Sequence, residues 1–82
     1  MKDEQILSRM SAAEKRCVMY LGKANMNVSK ASRLAHMSRQ GFAYRIKCIR
    51  NNTGFNPLDF HDLCRLVHAI EEERNAYDRL FQ

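Results

Sequence analysis

Two helix starts and one tight turn fall within Asn27–Gly54, NVSKASRLAHMSRQGFAYRIKCIRNNTG, and this spacing constrains the fold more than any other feature. Asn27 or Ser29 can cap a first helix over about Ser29 to Ala35, with Ala31, Leu34 and Ala35 inward. His36-Met37 makes the turn, and Ser38 caps a second helix from Arg39 to about Thr53. Side-chain oxygens mark such starts because they accept backbone N–H groups that the first helical turn leaves unpaired. Gly54 suits the left-handed position that ends a helix. Phe42, Ile46 and Ile49 recur at i, i+4 and i+7 and form the buried stripe of the second helix. The pattern predicts a helix-turn-helix over about 28–53.

The rest of the chain reads as helix too. Its 82 residues include one proline and three glycines, so few positions break a helical pattern. Lys2 to Met10 is a short helix with Ile6, Leu7 and Met10 on one side. Ser11-Ala12-Ala13-Glu14 is a capping box, and the helix after it runs to about Ala24 with Ala13, Cys17, Val18 and Leu21 on one face. Asn56-Pro57 or Asp59 starts a final helix over about 59–81. Leu63, Leu66, Val67, Ile70, Tyr77 and Leu80 mark its stripe, broken by Glu71-Glu72-Glu73-Arg74. The expectation is an all-α, single domain over 1–82 with four to five helices and a core unit of about 11–70. That size is near the lower end of what folds alone.

Charge is placed unevenly. Residues 1–56 carry 11 Lys and Arg against 3 acids, and residues 57–82 carry 3 against 6. No acid occurs between Lys15 and Leu58, and Asn27–Gly54 holds seven basic residues when His36 is counted. An uncompensated positive surface selects a polyanion, most often nucleic acid.

Helical phase narrows the surface that meets it. At about 100° per residue, the face opposite Phe42, Ile46 and Ile49 carries Gln40, Tyr44, Lys47 and Asn51, with Arg39 and Ala43 beside it near the N-terminus. The second helix of a helix-turn-helix lies in the major groove. There Gln pairs with adenine, Arg with guanine, and an alanine methyl meets thymine. Arg39, Gln40, Ala43, Tyr44 and Lys47 are the expected base-recognition set, Tyr44 and Lys47 also reaching phosphate. Ser29, Lys30, Arg33, Ser38 and Arg50 are the expected phosphate contacts, the first three aided by the helix N-terminus. Small Ala31 and Ser32 fit a close helix crossing. His36 falls where the turn needs positive φ, which histidine tolerates better than most residues. Met37 is the apolar plug, and Gly41 suggests a close approach to DNA or to the bracing helix.

The run SKASRLAHMSRQGFAYRIKCIRNNTGFNPLDFHDLCRLVHAI resembles the C-terminal helix-turn-helix domain of PucR-type transcriptional regulators, which are similar in turn to Fis-like DNA-binding domains. Tyr44-Arg45-Ile46, Ile49, Thr53-Gly54, Asp59 and Arg65 carry the likeness, over about half the chain. It implies a DNA-binding module, a kind usually fused to a sensory region. No such region is expected in these residues, so ligand control does not carry over. Ser38-Arg39-Gln40-Gly41-Phe42 replaces the family's commoner His-Arg-Asn-Thr-Leu type of start, so the target sequence does not carry over either.

Other constellations point to less. His61, Cys64 and His68 share a face at i, i+3 and i+7 and need a fourth ligand, His36 or Cys48, to hold zinc; without paired C-x-x-C or H-x-x-x-H spacing no metal or cofactor is expected. A Cys–His dyad is conceivable, but a bundle this small leaves little room for a substrate pocket, so no enzyme activity is expected. Cys17, Cys48 and Cys64 read as reduced thiols of a cytoplasmic protein, and no segment approaches the about 18 apolar residues of a membrane span. Leu63, Leu66, Ile70, Tyr77, Leu80 and Phe81 exceed what a three-helix core needs. They are the expected homodimer interface, helped by Ile6 and Leu7, the alternative being that the helix folds back over its own core. The expected partner is double-stranded DNA, with no small-molecule ligand evident. The rival readings are an adaptor or anti-repressor that docks on protein, and a nucleoid-type binder of low specificity.

Overall fold

The computed structural model describes residues 1–80, which form an all-α arrangement of five helices. These are α1 (Asp3–Ser8), α2 (Ala12–Lys23), α3 (Val28–Leu34), α4 (Arg39–Thr53) and α5 (Phe60–Leu80). Side-chain caps set most starts. Ser11 Oγ accepts from the Glu14 amide at 3.1 Å while Glu14 Oε1 accepts from the Ser11 amide at 2.9 Å, the reciprocal capping box. The same bond lets Glu14 be buried. Asn27 rather than Ser29 caps α3, accepting from the Lys30 amide at 3.0 Å. Asp59 Oδ1 accepts from the Asp62 amide and Asp62 Oδ2 from the Asn56 amide, each at 3.0 Å, so the α4–α5 loop is tied to the first turn of α5.

Helices α2, α3 and α4 pack pairwise as a trihelical unit; α5 lies against α2, and α1 against α5. Phe42, Ile46 and Ile49 of α4 meet Cys17, Val18 and Leu21 of α2 and Ala31 of α3 in one core, completed by Leu63, Leu66, Ala69 and Ile70 of α5 and by Ile6 and Met10. α5 is also held at its outer edges by the Lys15–Glu73 ion pair at 3.2 Å and by Arg65, which bonds Asp3 and the Met1 carbonyl.

Three expectations need correction. Leu34 is 39% exposed rather than inward, and Ser32 takes the buried place beside Ala31. The Ser32 hydroxyl donates to the Ser29 carbonyl at 2.8 Å, which removes the cost of burying it. Leu63, Leu66 and Ile70 belong to the core of the single chain, as does Ile6, and Leu7 packs against that core, so none of these forms an open intermolecular stripe. The α5 stripe divides at Ile70: every described residue from Glu71 to Leu80 is exposed, Tyr77 and Leu80 among them. Phe81 lies outside the described residues. Finally, α1 is shorter than Lys2 to Met10, although Met10 stays buried. No helix among the described residues is long and apolar enough to cross a membrane.

Candidate nucleic-acid interface

Between α3 and α4 the chain turns through His36 at φ +56°, a left-handed conformation. The Met37 amide donates to the Ser32 carbonyl at 2.9 Å and closes the turn. Met37 packs against the core, its Sδ 3.7 Å from Cys17 Sγ. That plug fixes where α4 begins. Ser38 Oγ then accepts the Gly41 amide at 3.0 Å, and its O–H remains able to donate outward. At the far end Gly54, at φ +80°, sends its amide to the Arg50 carbonyl at 2.9 Å. The Thr53 hydroxyl donates to the Ile49 carbonyl at 2.7 Å and accepts from the Phe55 amide at 3.1 Å, satisfying the last turn.

With its ends fixed and Phe42, Ile46, Ile49 and Thr53 buried, α4 turns the opposite face to solvent. Gln40, Tyr44, Lys47 and Asn51 are all exposed there, and Arg39, Ala43 and Arg50 are exposed along one edge. Tyr44 is 64% exposed and one turn from Cys48, whose thiol pushes its hydroxyl pKa above the ordinary value. Like any phenol of ordinary or higher pKa, Tyr44 is a neutral hydrogen-bond donor at physiological pH. On α3, Lys30 and Arg33 are exposed and Ser29 is half-buried. The one amide that Asn27 caps is already used, which leaves the two side-chain cations as the stronger donors of α3.

Gly41 makes no close approach to the bracing helix. A Cβ there would sit 3.0 Å from Ser38 Oγ and 3.8 Å from the Met37 methyl, with no bracing-helix backbone near. An alanine Cβ would make the Ser38 hydroxyl give by a few tenths of an ångström.

The Lys15–Glu73 and Arg65–Asp3 ion pairs lie outside Asn27–Gly54. Hence, among the described residues, Lys30, Arg33, Arg39, Arg45, Lys47 and Arg50 have no carboxylate partner. Arg45 differs from the others in position. It is half-buried and points along the α2 side of α4, beside Arg16 and Tyr20, not toward the outward face. Sequence phase alone could have placed it on a flank but not named its neighbours.

The model of the PucR C-terminal helix-turn-helix domain matches residues 18–71. The chain belongs to that family. Its matched span covers α3, the turn, α4 and the part of α5 that completes the core, and so includes every element that positions the exposed α4 face. Comparisons with curated proteins and with solved structures give no match. A PucR-type helix-turn-helix is a DNA-binding domain by family, which accords with the unpaired cations. The suggested metal ligands do not assemble: among the described residues no group of three His, Cys, Asp or Glu side chains gathers to hold an ion. His61, Cys64 and His68 are exposed along α5, and the His61 ring instead meets Phe60 edge-on at 5.5 Å. Cys17 is buried, which raises its thiol pKa and keeps it protonated.

Proposed function

We propose that this domain binds double-stranded DNA in a sequence-specific manner, as a small transcriptional regulator, with α4 in the major groove. The observation that carries the reading is the capped α4 whose exposed face bears polar and basic side chains with no acid to neutralise them. Arg39, Gln40 and Ala43 near the N-terminus of α4 meet base edges, and Tyr44 and Lys47 extend the same face toward base or phosphate. Ser29, Lys30 and Arg33 on α3, with Ser38 and Arg50 at the flanks of α4, hold the two strands by their phosphates and fix the register. A neutral partner would leave these cations uncompensated; a protein partner would need an acidic surface of matching shape.

Two-fold readers of DNA double their phosphate contacts by dimerising. The homodimer in this reading uses the exposed outer part of α5, with Tyr77 and Leu80 as its apolar groups, since the inner part is occupied. Titration against random and selected duplexes at several salt concentrations tests the reading. Tighter binding to a selected duplex, with affinity falling steeply as salt rises, is expected. Equal affinity for every duplex would favour a nucleoid-type binder, and no binding at low salt would favour an adaptor.

A further inference from the structure

A second basic surface lies away from the exposed α4 face. Two adjoining recesses, about 300 and 250 Å³, share Arg16 and Tyr20 of α2. The first continues to Met19, Lys23 and the α5 residues Ile70 and Arg74; the second reaches Ala35 and Met37 of the turn and Arg45 of α4. Four cations, Arg16, Lys23, Arg45 and Arg74, thus surround the half-buried Tyr20, and among the described residues none has a carboxylate partner. Lys15, at the rim, is taken by Glu73. Cys17 lies on the floor between Arg16 and Arg45 and is held protonated by burial, so it adds no negative charge to the second recess.

The chemistry of the two recesses differs. Tyr20, Met19 and Ile70 offer an aromatic ring and apolar walls suited to a flat body; Arg16 and Arg45 offer two guanidinium groups from opposite helices. The two guanidinium groups of the second recess, Arg16 and Arg45, match the charge of a dianion. We propose that this site binds a small organic phosphate monoester with a flat apolar body, of the chemical type of a nucleoside monophosphate, with the phosphate between Arg16 and Arg45 and the flat body against Met19 and Tyr20. Arg16, Lys23 and Arg74 are exposed at the rim, and Arg45 is the half-buried cation inside the second recess.

Adenosine 5′-monophosphate titrated into the isotope-labelled full chain, followed by amide and side-chain NMR, tests this. Saturable shifts are expected at Arg16, Tyr20, Arg45 and Met37, with inorganic phosphate weaker. Arg16→Ala, on the exposed side of α2, and Arg45→Gln, which keeps most of the side-chain length, should each weaken binding about tenfold. Absence of shifts at millimolar ligand would overturn the proposal. Equal shifts at Lys30 and Arg33 would also overturn it, since they would show general charge attraction. Equal affinity for inorganic phosphate would rule out the organic ester.

Discussion

At the scale of single residues, the start of α4 is a compromise between two local preferences. Glycine in a helix costs about 1 kcal/mol relative to alanine, and a serine N-cap contributes about 1 kcal/mol. At Gly41 the two conflict, because a Cβ would press on Ser38 Oγ at 3.0 Å. Gly41→Ala should therefore stabilise the domain less in the native background than in Ser38→Ala, and a double-mutant cycle by chemical denaturation should show the non-additivity. Additive effects would refute the conflict. Cys17 gives a pH prediction. Its folded pKa is raised by burial above the ordinary thiol value, so the folded state holds a proton that the unfolded state releases. Its contribution is intact below that value and is lost as pH rises past it. Stability should fall on the alkaline side, and Cys17→Ala should flatten the fall. His36 and Gly54 were readable from sequence because positive φ limits residue choice. The contact a Cβ at Gly41 would make was not, since it involves an atom three residues away.

Element by element, legibility followed helix length. α4 is long enough for its stripe to fix both faces, and Phe42, Ile46 and Ile49 are all buried as their spacing predicts. Phe42→Ala should cost about 3–5 kcal/mol, a large part of the about 5–15 kcal/mol that holds a domain of this kind, and equilibrium denaturation measures it. α3 has 7 residues, under two full turns, so its stripe was ambiguous and Leu34 and Ser32 exchanged places. For α5 the stripe itself was legible, but periodicity does not say what covers it. Packing by α1 and α2 does, and it ends at Ile70.

For the whole molecule, the candidate interface was legible as a face because charge and phase agree on the same helix. The cations around Tyr20 were not, since they come from α2, α4 and α5 and meet only in the fold. Assembly is also a property at this scale. If the outer part of α5 dimerises, sedimentation without DNA should give a dimer at tens of micromolar, and Leu80→Glu should return a monomer; a monomeric native chain would remove the dimer. The claim that the exposed α4 face meets DNA is tested most directly by anisotropy titration of one selected duplex with two charge-matched variants. Arg39→Glu/Lys47→Glu reverses two charges on that face, and Lys2→Glu/Arg79→Glu reverses two exposed charges elsewhere. With folding intact in both, the first should lose nearly all binding and flatten the salt dependence, while the second should lose little. Equal losses in the two variants would contradict a groove-reading α4.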